Sequence, residues 1–360
     1  MNAPERFNLH MTRFIRAPRD KVYDALTTQA GMASWMGSRG TTARGVVADS
    51  RVGGAWRVEM HARDGSQFVA GGEFKTLDRP ARVAYTWRWE GGNSPMPNVE
   101  TLVEISLAEK DGGTELQMKH SGFPVAMARD AHNNGWSSTL NRLNDYLDPE
   151  GSAGTITLLG DARSSYTRTA RMALAEKNVA YTLKSAGPHT PDILAVHPFG
   201  RIPGLRDGDI CIWETAAILN YLDECFDTGT SLRPGSIMER TRAAQWVSAV
   251  NSYLYDTMVR RYVLQVLFPK GEGGKPDGAV VGAALGEMPA QFAALDAAYA
   301  KGPYLAGNGF SGADLFLAPI LAYVQAFPEG GQLMAGYPNL MRGQALVRER
   351  ASFKATNPQA

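Results

Sequence analysis

The hydrophobic period of this chain changes once, near residue 150, and the change decides what each side can become. Before it, apolar residues alternate. Trp56, Val58 and Met60 share one face of an extended segment, and Val83, Tyr85, Trp87 and Trp89 share one face of a second. Thr101, Val103, Ile105 and Leu107 do the same in a third, and Leu116, Met118 and His120 in a fourth. Asp64-Gly65, Gly91-Gly92-Asn93 and Asp111-Gly112-Gly113 supply the turns between them. Ala17-Pro18-Arg19-Asp20 opens a short helix carrying Val22, Tyr23, Ala25 and Leu26. Trp136, Leu140, Leu143 and Leu147 form one apolar stripe on a closing helix. Strands this close in sequence predict a mostly antiparallel sheet with the stripe of the last helix laid on it.

Asp148-Pro149-Glu150-Gly151-Ser152-Ala153-Gly154 reads as a linker. Beyond it the pattern predicts a short strand over 155–159, a helix over 165–177 with Asn178 as its stop, and a strand over 180–183. After Gly229 the strand signals end and helices are expected over 237–268, 278–301 and 311–327. The chain is therefore read as α+β in two parts, without internal repeat.

Composition narrows the function classes. With 44% hydrophobic and 20% charged residues in 360, both parts can bury a core. Lys and Arg total 37 against 36 Asp and Glu, evenly on both sides of Glu150, so neither part has the positive excess that polyanions or anionic membranes attract. No apolar run is expected to approach the roughly 20 residues of a spanning helix, and the start lacks a signal pattern. Cys211 and Cys225 form neither a CxxC pair nor a disulfide framework, which points to reduced thiols in a cytoplasmic protein without a metal site. Gly271-Glu272-Gly273-Gly274-Lys275-Pro276 lacks the spacing of a phosphate loop and reads as surface loop.

Four clusters in the second part carry chemistry, each with a plain structural reading beside it. Ser164 and Ser165 stand where a strand gives way to a helix; a hydroxyl there either caps the helix or donates to an anion held by its positive end. Phe199-Gly200-Arg201-Ile202-Pro203-Gly204 is a turn that is either trans or cis at Pro203; the cis form would present the backbone of Ile202 outward. Glu214 and Thr215 open the next helix, as a cap or as a carboxylate–hydroxyl pair for a ligand bearing an ammonium and a carboxylate. Ser311-Gly312-Ala313-Asp314 reads as a capping box.

In this order and spacing the clusters resemble the cytosolic glutathione transferases, over about 155–350 and closest to the serine-type bacterial and zeta/theta-like branches; Arg168, Arg171, Met172, Ala173 and Leu174 fit the same pattern. The resemblance implies a thioredoxin-like glutathione-binding domain at 155–228 and an all-helical domain at 236–350. It implies Ser164 or Ser165 as the hydroxyl that stabilises the glutathione thiolate and Ile202, before Pro203, as the backbone partner of the cysteinyl part. It implies Glu214 and Thr215 for the γ-glutamyl group, with Arg201 and His189 as contacts of the glycyl carboxylate. His197 stands where Asn is usual, and Tyr166 replaces the Cys of zeta-type members. A homodimer is implied as well. The pocket for a small hydrophobic electrophile is expected on the helix of Trp246, Val250, Tyr253, Tyr255 and Met258, with Tyr253 and Met258 as its named residues.

Ala17-Pro18, Val22, Tyr23, Thr27 and Trp35, with Asp111-Gly112-Gly113-Thr114, His120-Ser121-Gly122-Phe123 and Gly135-Trp136-Ser137-Ser138-Thr139-Leu140, resemble the START-like helix-grip superfamily (SRPBCC). The branch is that of the heat-shock-protein ATPase activator homologues, with domain limits 1–148 and a linker at 149–154. This fold implies a sheet wrapped around a long helix, with Trp56, Tyr85, Trp87, Trp89 and Met118 either lining or filling an apolar cavity; His61 and His120 read as satisfied strand residues. The expected function is glutathione transfer to a small apolar electrophile, with the first part holding a hydrophobic ligand. The competing reading is a non-catalytic ligand-binding or co-chaperone-like protein with a vestigial glutathione site. Glutathione is the expected substrate or cofactor, with no nucleic-acid or membrane partner.

Overall fold

A computed structural model of the chain describes residues 7–91, 96, 99–149, 156–233, 235–269 and 271–358. Most of the expected linker falls outside them. Contacts group the chain into two compact units: residues 1–157 with 206–211 and 224–226, and the remainder.

The first unit is a seven-stranded antiparallel sheet. Strands β1 (Phe7–Ile15), β2 (Thr41–Ala48), β3 (Ala55–Ala62), β4 (Gln67–Asp78), β5 (Arg82–Glu90), β6 (Thr101–Lys110) and β7 (Gly113–Phe123) lie in the order β1-β7-β6-β5-β4-β3-β2. Helices α1 (Arg19–Thr27) and α2 (Gln29–Trp35) follow β1, and α3 (Ala126–Leu147) closes the unit. The alternating sets anticipated from sequence face one core, in which Trp56, Val58, Val83, Tyr85, Val103, Ile105 and Leu116 are almost fully buried against Trp136, Leu140 and Leu143 of α3. Strands β1, β2 and β4 were not anticipated. In β2 most residues are at least partly exposed, so no apolar alternation marks it. In β4, Gly71 and Gly72 interrupt the pattern, and a Cβ at Gly72 would stand 1.9 Å from the Thr86 carbonyl oxygen of the neighbouring strand.

A second, four-stranded sheet has the order β11-β10-β8-β9, from β8 (Ile156–Leu159), β9 (Thr182–Lys184), β10 (Gly204–Asp207) and β11 (Ile210–Trp213). Helix α4 (Ser165–Glu176) follows β8, and α5 (Pro191–Leu194) lies between β9 and β10. Asn178 takes φ +52° and the Val179 N–H bonds to the Leu174 carbonyl, so the helix ends at the expected stop. Helix α6 (Thr215–Cys225) leads to α7 (Ile237–Ala249). The expected helix over 237–268 runs unbroken over 237–267 but changes its winding: α7 passes into a π-helical stretch Val250–Val263 and then into α8 (Leu264–Leu267). Helices α9 (Gly278–Tyr299), α10 (Gly312–Gln325), α11 (Pro328–Ala335), α12 (Pro338–Arg348) and α13 (Ala351–Ala355) complete the unit.

Helix α9 corrects the expectation that no apolar run nears spanning length. Its 22 residues, at mean hydropathy 1.2, are long and apolar enough to cross a membrane by length and composition. Within the fold, Ala284, Met288, Phe292, Leu295 and Tyr299 are its buried residues, spaced three or four apart as one stripe toward the core. Its alanines, with Val280 and Val281, raise the average elsewhere. At α10, the buried Asp314 carboxylate accepts from the N–H and O–H of Ser311 and the N–H of Leu305, the cap read from sequence. Burial pushes its pKa up to about 6 against those donors.

Candidate functional site: a cavity at two helix starts

The second unit carries an open cavity of about 1180 Å³. Ser164, Ser165, Arg201, Ile202, Pro203, Glu214 and Thr215 all line it. Their convergence follows from the local fold. Gly160 ends β8 where a Cβ would stand 2.5 Å from Thr167 Oγ1, so the absence of a side chain lets the strand run directly into α4. Ser164 is the N-cap, and its Oγ accepts from the Thr167 N–H at 3.4 Å. Neither the Ser164 nor the Ser165 hydroxyl donates to any group among the described residues. Ser165 is 5% exposed. Tyr166, the third hydroxyl here, is committed: it donates to Asn251 Oδ1 at 2.7 Å, and burial holds it protonated.

The second helix start differs in its backbone. Glu214 precedes α6 at φ +67°, a left-handed conformation uncommon for a residue with a side chain. Strain of this kind, held by surrounding structure, concentrates at ligand sites. The Glu214 carboxylate is largely exposed and stands 3.7 Å from Nε2 of buried His197. His197 Nδ1 accepts from the Phe199 N–H, which leaves Nε2 to carry the proton toward Glu214. Burial holds His197 below its usual pKa, with the Glu214 charge acting in the opposite direction. The Ile202–Pro203 bond is cis.

Three expected residues lie elsewhere. His189 does not line the cavity; its N–H donates to the Gly200 carbonyl and its ring packs on Gly200. Tyr253 is 67% exposed, and Met258 is fully buried in the core. The π-helical winding explains both. With i→i+5 bonding, residues four and five apart share a face, so Asn251, Tyr255, Val259, Arg260, Val263 and Leu264 line the cavity, while 253 and 258 turn away. Tyr255 stacks on Tyr166 at 4.5 Å and 16°, and Phe316 meets Tyr166 edge-on. Tyr255 lies on the helix expected to line the pocket, whereas its stacking on Tyr166 is not legible in the sequence, because nothing in 250–263 announces a change of winding.

Comparison with known proteins agrees with this geometry. Residues 163–225 match the N-terminal domain of glutathione S-transferase and residues 278–342 its C-terminal domain. Residues 16–148 match the activator of Hsp90 ATPase homolog 1-like family. Glutathione S-transferase 3 of Zea mays is 31% identical over 174 residues, 48% of this chain and 78% of its own length. Glutathione S-transferase GstB of Escherichia coli K12 is 30% identical over 55% of this chain and 96% of its own. Among solved structures, the theta-class enzyme of Xanthomonas axonopodis pv. citri with glutathione bound shares 29% identity over 57% of this chain and 98% of its own, with a TM-score of 0.50. A glutathione S-transferase III in apo form superposes with a TM-score of 0.52 at 28% identity, over 57% of this chain and 99% of its own. With a strand-to-helix hydroxyl pair and a second helix start converging on one cavity, and with relatives matched over most of their length, the chain belongs to the glutathione S-transferase family and carries an activator-of-Hsp90-ATPase-like domain ahead of the transferase domains.

Proposed function

We propose that this protein transfers glutathione to a small apolar electrophile, with the thiolate held at the N-terminus of α4. The observation that carries this reading is the pair of hydroxyls, Ser164 and Ser165, that line the cavity without a hydrogen-bond acceptor of their own. A free thiol has a pKa near ~8.5, and lowering it by about two units requires roughly 2.7 kcal/mol of preferential thiolate stabilisation. One hydroxyl donor with the unpaired N–H groups and dipole of a helix start supplies that order of energy. We assign the donor role to Ser164, the γ-glutamyl group to Glu214 and Thr215, the cysteinyl backbone to Ile202 and the glycyl carboxylate to Arg201. The electrophile sits against Tyr255, Val259 and Phe316. Calorimetry with glutathione tests this: binding is expected, with thiolate absorbance near neutral pH that vanishes in the Ser164→Ala, Ser165→Ala double variant. Absence of glutathione binding would overturn the reading.

The mature form is proposed as a homodimer of a cytoplasmic protein. Phe199 is 65% exposed beside half-exposed Trp213, with their rings 5.7 Å apart, and Ile237 and Met238 are also exposed; a second copy would cover such apolar surface. Sedimentation showing a single-chain mass at micromolar concentration removes this proposal.

The first unit is proposed to hold an apolar ligand with a hydrogen-bond acceptor. Support comes from Tyr85 OH and Trp87 Nε1, two buried donors without partners among the described residues, on the same face of β5 and among the rings of Trp56, Trp89 and Trp136. An aromatic ketone that quenches tryptophan fluorescence in the full chain, but not in Trp87→Phe, is the expected result; equal quenching in both would count against it.

A further inference from the structure

Arg168 is the least expected residue of the cavity. It is 1% exposed, yet among the described residues no carboxylate pairs with it. Its Nη2 donates to the Phe353 carbonyl at 3.2 Å, its Nε has no partner, and its Cζ lies over the Phe353 ring at 4.1 Å. A second guanidinium, that of exposed Arg348, lies over the same ring at 5.9 Å and also lines the cavity; its one hydrogen bond goes to Gln325.

The nearby acids are engaged elsewhere. Asp161 is taken by Arg163, and Glu349 by Lys354. Arg171 adds further positive charge, bonded only to the Tyr181 hydroxyl and the Thr356 carbonyl. Burial together with the charges of Arg171 and Arg348 draws the Arg168 pKa down to about 10, and Tyr323 alone acts in the other direction. A buried cation without a counter-charge is costly unless something supplies that charge.

We propose that Arg168 and Arg348 form an anion-binding pole of the cavity, so that its second ligand is an aromatic or apolar molecule carrying a carboxylate or sulfonate. This inference rests on the cavity being the ligand site described above, and it adds the charge of that ligand. The placement suits a single small molecule. Ser164 and Arg168 stand four residues apart on one face of α4, about 6 Å along its axis. A substituted ring can therefore present its reactive carbon near the helix start and its anionic group near Arg168.

The test uses the full-length protein saturated with glutathione and two fluorescent probes. One is 8-anilinonaphthalene-1-sulfonate; the other is N-phenyl-1-naphthylamine, the same aromatic body without the sulfonate. The sulfonate is expected to bind more tightly by about tenfold or more, the ratio of one charge-assisted hydrogen bond. Arg348→Gln should lower that preference several-fold and Arg168→Met should abolish it, with affinity for the neutral probe unchanged. Arg348 is exposed, so its variant keeps the test informative if Arg168→Met fails to fold. Equal affinities in the parent protein, or a preference that neither variant moves, overturns the proposal. Glutathione calorimetry on the same samples keeps the two readings apart, because loss of glutathione binding with an intact sulfonate preference fails only the transferase reading.

Discussion

Two sets of buried polar groups, one in each unit, are held in opposite ways. In the first, two histidines are tied off inside the aromatic core. The Trp136 indole N–H donates to His120 Nδ1 at 3.0 Å; His120 Nε2 therefore carries the proton and donates to Thr101 Oγ1, which donates to the Trp87 carbonyl. The Trp89 indole donates to His132 Nε2, and His132 Nδ1 donates to the Ala128 carbonyl. In the second unit, the hydroxyls of Ser164 and Ser165 and the Nε of Arg168 are left open at the wall of a cavity. A closed network fixes one packing, whereas an open one waits for a ligand. The difference separates a histidine whose ring nitrogens are both engaged within the core from a serine whose hydroxyl stays open at a cavity wall, although either could look catalytic in a sequence.

That contrast makes unequal claims on stability and activity. His120→Ala strands the Trp136 N–H in the core and opens a cavity, and should lower stability by about 3 kcal/mol in chemical unfolding followed by near-UV circular dichroism, with glutathione affinity unchanged. A loss below about 1 kcal/mol would mean that the network is not closed.

Acid should act on the same place. Burial depresses the folded pKa of both His120 and His132, so their contribution is full above the unfolded value near ~6.5 and declines as the pH falls, because only the unfolded chain takes up the protons. Unfolding midpoints should drop by the equivalent of about 1 kcal/mol between pH 7 and 6, and a flat profile would place both rings in contact with water. The smallest expected effect is at Ser165. Its hydroxyl makes no internal bond, so Ser165→Ala should stay within about 0.5 kcal/mol of the parent by the same unfolding measurement. A larger loss would give that hydroxyl a structural partner.

The legible parts of this molecule were those written in local patterns. Period-two faces gave β3, β5, β6 and β7, the stripe from Trp136 to Leu147 gave the body of α3, and Asn178 gave the end of α4. The two helix starts of the site were legible because hydroxyl and acidic residues at such places are few and ordered. What stayed hidden depends on partners distant in sequence or on winding. Nothing near His120 foretells that Trp136 would donate to one ring nitrogen and Thr101 accept from the other. Arg168 fits the pattern of the helix, but its burial shows only once Phe353, 185 positions later, is laid against it. Tyr253 and Met258 lie on the helix expected to line the pocket, but the winding of Val250–Val263 brings 251, 255, 259 and 260 to the cavity instead.

That stretch has a consequence for how a cavity of this kind changes over time. A π-helical residue turns the chain somewhat less than the roughly 100° of an α-helical one, so loss of one residue between 251 and 255 that keeps this winding would swing everything beyond it around the axis. Tyr255, Val259 and Arg260 would leave the wall together and another set would enter, with no side chain altered. Length, rather than identity, would then set specificity in this segment, and relatives of equal composition but unequal spacing would present different surfaces to the cavity.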